Sequence, residues 1–323
     1  LIEDAVQNPA SSPAASPSEA SPLKKALPLI TGAVLVGLAL IYVSIWTFAD
    51  LSPETLAQIW YFPSIGVFGA IIANTSGTGG GVVYVPVFNV LRHEGIIDLS
   101  REQIVASGFA IQCFGMTMGA LTWTNNLYKT PVPQTGVRER DFWLIVALVM
   151  AISGPIMLAT QRLTEFNPRD VLLWFKGFSV LLGITLILTT WTVNRTRPAR
   201  TELAPIDIAV LIALSILGGF VTALFSVGIG ELVAIYLFIR HYPLNTCTAT
   251  AVIISSMTVL IGTPYHVEKG TVPWEVVALA APGAILGGFL ARRIAHWLGA
   301  NRLKSLDGAW IVLSGLYLIA LNV

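Results

Sequence analysis

The sequence predicts an all-α polytopic membrane protein of two inverted-topology repeats. Each repeat is a glycine-broken helical hairpin followed by three transmembrane helices, and one extra transmembrane helix precedes them. Three observations predict this. Apolar runs of about 20 residues, the length that spans a bilayer, recur along the chain. A glycine cluster interrupts such a run twice. The positive charges gather on one side of the membrane only if each interrupted run enters and returns.

Of the 323 residues, 54% are hydrophobic and 11% charged, against about 25% charged in soluble domains. Apolar runs at 27–49, 60–91, 103–124, 141–162, 170–193, 205–239, 245–267, 272–291 and 303–322 leave no room for a soluble catalytic domain. A formal net charge of +1 gives no bulk attraction to nucleic acid, so the lipid bilayer is the expected partner. Cys113 and Cys247 lie in apolar segments without a CxxC partner. They read as small buried hydrophobes, with no disulfide framework, metal site or cofactor implied.

Taken in order, residues 1–26 read as a disordered cytoplasmic tail, rich in Ala, Ser, Pro and Glu and closed by Lys24 and Lys25. The run 27–49 is longer than the core of a signal peptide, so it reads as a retained helix with a cytoplasmic N-terminus. Repeat 1 covers 60–193, a cytoplasmic linker 194–204, and repeat 2 205–323. After each glycine cluster comes a polar turn and a segment rich in small polar residues, 103–123 and 245–265. A Trp-led helix follows, opened by Asp141-Phe142-Trp143 or Val272-Pro273-Trp274 and closed by Gln161-Arg162 or Arg292-Arg293. Each half ends on one more apolar helix, with Gly177 and Gly308 at similar depth. Weak but ordered similarity of this kind marks an internal duplication.

Charge decides the orientation. If each broken run crosses once, Lys129, Arg138, Arg140, Arg195, Arg197, Arg200 and Lys269 lie outside, giving 11 positive charges inside against 7. If each goes in and back, only Arg92, Arg101, Arg162, Arg169 and Lys269 lie outside, giving 13 against 5 with Lys176 inside a span in both counts. The second arrangement makes the two halves inverted repeats. Its broken runs are short for two full spans, so at least one arm of each hairpin should be short, its glycine tip within the membrane.

The first cluster reads Asn74-Thr75-Ser76-Gly77-Thr78-Gly79-Gly80-Gly81 and the second Ser226-Val227-Gly228-Ile229-Gly230-Glu231. A half-helix that starts inside the membrane offers unpaired N–H groups and the positive end of its dipole, an anion site made of backbone. Glycine lets the chain turn and a ligand approach. Asn74, Thr75, Ser76, Thr78 and Ser226 add amide and hydroxyl groups. The expected substrate-binding set is therefore Asn74, Thr75, Ser76, Gly77, Thr78, Gly79, Gly80, Gly81, Ser226, Gly228 and Gly230, with Gln112, Thr250 and Ser255 from the polar segments that follow. The plainer reading is that the glycines only let helices pack closely, and it is preferred for Gly115-x3-Gly119 and Gly283-x3-Gly287. Lys176 reads as a snorkelling residue or the one cation near the interior. His241 and His266 read as surface residues at helix ends.

The run Gly77-Thr78-Gly79-Gly80-Gly81-Val82-Val83-Tyr84-Val85-Pro86, with its degenerate second copy Gly228-Ile229-Gly230, resembles the TauE/SafE sulfite exporter family, also called the toluene-sulfonate uptake permeases. The resemblance covers roughly residues 60–323. It implies transport of small sulfur-containing anions, of the sulfite, thiosulfate, sulfonate or sulfoacetate type, and a place in the bacterial inner membrane. Glu231 departs from the pattern, since the first half has Val82 there. A carboxylate within the membrane is costly. It reads either as a proton-coupling group or as a cap on backbone N–H groups.

Two other classes compete with the transporter. Asn74-Thr75-Ser76-Gly77 faintly resembles the serine motif of rhomboid proteases, but those need a histidine at similar depth. His93, His241, His266 and His296 all fall at loops or helix ends, so no enzyme is expected. An anion channel or sensor of the same architecture is the remaining alternative.

Overall fold

The computed structural model describes residues 22–129, 137–164, 167–192 and 200–321. Most of the expected tail (1–21), Arg195 and Arg197 lie outside these described residues. The regular structure of the described residues is all helical, and the helices in order are α1 (Pro22–Phe48), α2 (Pro53–Gln58), α3 (Phe62–Ser76), α4 (Gly81–His93), α5 (Arg101–Lys129), α6 (Glu139–Leu163), α7 (Pro168–Thr192), α8 (Pro205–Phe225), α9 (Ile229–Ile239), α10 (Leu244–Glu268), α11 (Trp274–Leu298) and α12 (Ala300–Ala320). Among the described residues, seven helices are long and apolar enough to cross a membrane: α1, α5, α6, α7, α8, α10 and α11. α1 begins at Pro22, ahead of the expected start at 27. It leaves Leu29, Val36, Leu40 and Phe48 exposed, a face suited to lipid, and touches the bundle through the Tyr42 hydroxyl, which donates to Ala278 O at 3.1 Å.

Each broken run folds back on itself. The Phe62 ring, at the start of α3, stacks on Phe88 of α4 with centroids 5.6 Å apart. Further in, the Tyr84 hydroxyl donates to Gly66 O at 3.2 Å, and its ring fills the space a Cβ on Gly69 would need. The second hairpin is pinned by charge instead. Asp207, fully buried at the start of α8, accepts from Tyr236 and from Arg240 Nε at the far end of α9, each at 2.6 Å. Its other oxygen accepts from Ala204 N at 2.9 Å and the Tyr242 hydroxyl at 3.1 Å. With all these donors in place the buried carboxylate is well satisfied. The returning arms are short. α9 has 11 residues and α4 has 13, about 16 and 20 Å at 1.5 Å per residue, less than a bilayer core of about 30 Å.

Helix directions follow from which residues meet. Along α5 and α10, Phe109 faces His266, Cys113 faces Thr263 at 3.0 Å, and Thr117 faces Ser256 at 3.0 Å, so the two run antiparallel. Along α7 and α12, Lys176 O lies by Gly315, Gly183 by Gly308, and Trp191 Nε1 donates to Ser305 Oγ at 3.0 Å, again antiparallel. α3 instead runs parallel to α11, with Pro63 against Gly283 and Val67 against Gly287. The first arm of each hairpin packs on a helix of the other half: α3 on α11, and α8 on α6, where Gly219 meets Ser153. Gly115 and Gly119, like Gly283 and Gly287, lie at these close approaches, the packing role expected of them.

Candidate functional site

The two glycine tips meet. α3 ends in a left-handed residue, Gly77 (φ 81°), whose N–H bonds Ala73 O. This conformation is steep for any residue with a Cβ. The second tip turns at Ser226 (φ 59°) and at Gly228 (φ 146°), a backbone open to glycine alone. A Cβ on Gly81, the first residue of α4, would lie 2.7 Å from Phe225 O and 2.9 Å from Ser226 O. One on Gly230 would lie 3.3 Å from Gly77 O and would run into Ser255 Oγ. The N-termini of α4 and α9 therefore open onto each other's turn.

Gln112 ties the tips together. Buried on α5, it accepts from Gly80 N and donates from Nε2 to Ser226 Oγ at 2.8 Å. The same nitrogen reaches Ser226 O at 3.2 Å and Gly108 O at 2.9 Å. The Gly80 N–H needs an acceptor, which fixes the amide's orientation. One side chain thus bonds both halves of the chain.

Glu231 stands at the start of α9, 1% exposed. Its Oε2 accepts from Gly228 N at 2.7 Å, the capping bond, while Oε1 has no hydrogen-bond partner. That free oxygen faces the first tip, 2.9 Å from where a Cβ on Gly79 would sit.

The remaining expected residues divide. Ser255 packs on Gly230, at the tips. Ser76 and Thr78 hydroxyls lie 2.8 Å apart beside Gly77. Asn74 turns away: its side-chain nitrogen donates to Ala70 O and Gly115 O, its backbone carbonyl accepts from Trp123 Nε1, and its side chain fills the space over Gly119. Thr75 and Thr250 bond carbonyls of their own helices, Ile72 O and Thr246 O. One surface assignment is corrected. His266 is buried beside the Phe109 ring, because α10 extends past it to Glu268 and packs on α5. Lys176 is 7% exposed.

Sequence reasoning placed α12 as the closing apolar helix but did not foresee its contact with the first tip. Trp310 Nε1 donates to Val82 O at 3.1 Å, so α12 clasps the first tip. Lys304, counted as an exposed cytoplasmic charge, is 5% exposed with its Nζ 3.2 Å from the centre of the Phe238 ring. An acid and a lysine inside an apolar helix were the available signal.

A cavity of about 350 Å³ leads toward the second tip. Val85, Phe175 and Phe225 supply apolar wall, and Arg101, Lys269 and Glu102 line it as well. Its innermost residue along α8, Phe225, directly precedes Ser226 and packs against Phe175 with ring centroids 5.5 Å apart. Among the described residues no group of three or more His, Cys, Asp and Glu is placed to hold a metal ion.

The family described as sulfite exporter TauE/SafE matches residues 64–318. A "probable membrane transporter protein YunE" of Bacillus subtilis (strain 168) is 23% identical over 269 residues, covering 79% of this chain and 95% of that protein. No solved structure gives a significant match.

Proposed function

The chain belongs to the TauE/SafE sulfite exporter family and is a multi-pass membrane transporter, and we propose that it moves a small sulfur-containing anion by alternating access, bound between the two glycine tips. The observation that carries this is the meeting of the tips. Two half-helix N-termini face one point, with Gly79, Gly80 and Gly81 from one side and Ser226, Gly228 and Gly230 from the other. Such N-termini favour negative charge and offer N–H donors. An oxoanion suits these N-termini once it replaces Gln112 and Glu231, the side-chain acceptors that hold the Gly80 and Gly228 N–H groups in this conformation.

The two halves act as inverted repeats. The antiparallel courses of α5 with α10 and of α7 with α12 support this, as do the exchanged partners of α3 and α8. Helices that correspond in an inverted pair run in opposite directions, and binding at their interface suits rocking of one half on the other. The N-terminus is cytoplasmic and the membrane is the bacterial inner membrane. The cavity lined by Arg101 and Lys269 then opens to the outer side, where its cations draw anions toward Phe225 and the second tip.

Glu231 carries the coupling proton. One of its oxygens holds the cap on Gly228 while the other faces the site without a partner, so the charge there can be removed without losing the cap. Protonated, it lets an anion settle between the tips; ionised, it repels the anion outward. In proteoliposomes, Glu231→Gln is expected to retain folding and anion exchange but to lose the pH dependence of net flux. A variant that unfolds, or one that keeps the wild-type pH profile, reduces Glu231 to a cap.

A further inference from the structure

The two tips differ in polarity. α4 and α9 present N-termini, but α3 arrives at the first tip by its C-terminus, the negative end of its dipole, with Ala73 O bonded by Gly77 N and Asn74 O by Trp123 Nε1. There the hydroxyls of Ser76 and Thr78 lie 2.8 Å apart, both side chains buried. Asp307 of α12, three residues before Trp310 on the same helix, lies close enough to Ser76 for the two side chains to act on each other. Its Oδ2 has no hydrogen-bond partner, although the residue is 3% exposed. A buried carboxylate oxygen without a donor is costly and calls for a positive partner. Lys304, one turn earlier, sits over the Phe238 ring rather than on this carboxylate. α12 is held in place by the bond from Trp310 Nε1 to Val82 O, so Asp307 is fixed against the tip.

Carboxylate, hydroxyl and helix-end carbonyl oxygens are the ligands of a hard cation. With a single carboxylate, and Lys304 close enough to act on its charge, the site suits a monovalent ion and not a divalent one. We propose that Asp307, Ser76 and Thr78 bind a sodium ion at the C-terminal end of α3, and that this ion is a coupling ion for transport. Bound there, it cancels the charge of Asp307, which would otherwise repel the anion held by the neighbouring N-termini. Half-helix C-termini serve cations as half-helix N-termini serve anions. The ion and the Glu231 proton occupy different tips. The coupling role rests on the transporter reading; the binding site does not.

The test is equilibrium binding of radioactive sodium to the purified full chain in detergent at fixed pH. Wild type is expected to bind it saturably, with about one ion per chain. Asp307→Asn, and separately the double variant Ser76→Ala with Thr78→Val, should each weaken binding by roughly tenfold or more, as loss of a ligand does. Two structurally different variants, each checked for a monodisperse elution profile, separate ligand loss from misfolding. No saturable binding in wild type, or wild-type affinity in the Asp307→Asn protein, overturns the proposal. So does a flux that responds to pH at Asp307 with no sodium bound, which makes the residue a proton site. Gln112→Leu keeps the two readings apart. Sodium binding with normal anion flux in that variant removes the tip as the anion site and leaves the cation site standing. No sodium binding in wild type, with flux blocked in Gln112→Leu, removes only the cation site.

Discussion

Gly81→Val is expected to abolish transport while leaving a folded, membrane-inserted protein. The first atom of the new side chain would meet Phe225 O at 2.7 Å and Ser226 O at 2.9 Å, both backbone and neither able to rotate away. The tips must separate by about an ångström. Misplacing binding groups that far costs on the order of a hundredfold in comparable sites, whereas the packing strain itself is about 1–3 kcal/mol. Anion flux in proteoliposomes and a thermal melt of the same preparation check the two halves of the statement. Gly115→Ala gives the contrast. Its Cβ would meet the Ala70 and Ala284 methyls at 3.1 and 3.2 Å, away from the tips, so it should lower stability more than it lowers flux.

Gln112→Leu is expected to be the most damaging change outside the glycines. It removes the acceptor of the Gly80 N–H and the donor to Ser226. Each buried polar group left without a partner costs roughly 1–3 kcal/mol. The two losses fall on opposite halves of the protein, so the melting temperature should drop and flux should fall together. Gln112→Glu sharpens the point. A carboxylate still accepts from Gly80 but has no N–H for Ser226, and it brings a negative charge to the anion site. Flux in that variant should fall further than stability does. Equal effects from the two substitutions would make Gln112 a structural strut only.

How much of this was legible beforehand depends on what sequence records. The glycine clusters, the short returning arms and the bilayer-length runs are properties of local composition. They led directly to hairpins whose Phe62–Phe88 and Asp207–Tyr236 contacts are as a folded-back run requires. Gln112 was reached because a polar amide in an apolar segment needs a partner. What composition does not record is the direction in which a side chain points. Asn74 and Ser76 sit two residues apart on one helix, yet Asn74 is sunk against Gly119 while Ser76 faces Asp307. Thr250 looked equally suited to a cavity and instead bonds its own helix, the usual fate of a buried threonine. The role of α12 was invisible for another reason. Charge counting treats a lysine near a helix end as solvated, and Lys304 escapes that rule by resting on an aromatic face. The exchange of partners between α3 and α8 is a long-range fact with no local signature.

The central claim is that the two tips form one anion site that opens to each side in turn. Counterflow tests it most directly. Proteoliposomes preloaded with millimolar unlabelled anion, with sulfite, thiosulfate, taurine and sulfoacetate tried in turn, are diluted into a trace of the same anion in labelled form. At least one anion should accumulate transiently inside against its own label gradient, and Gly81→Val should eliminate that overshoot. Equilibration without overshoot for every one of these anions, or an overshoot that survives in Gly81→Val, contradicts the account.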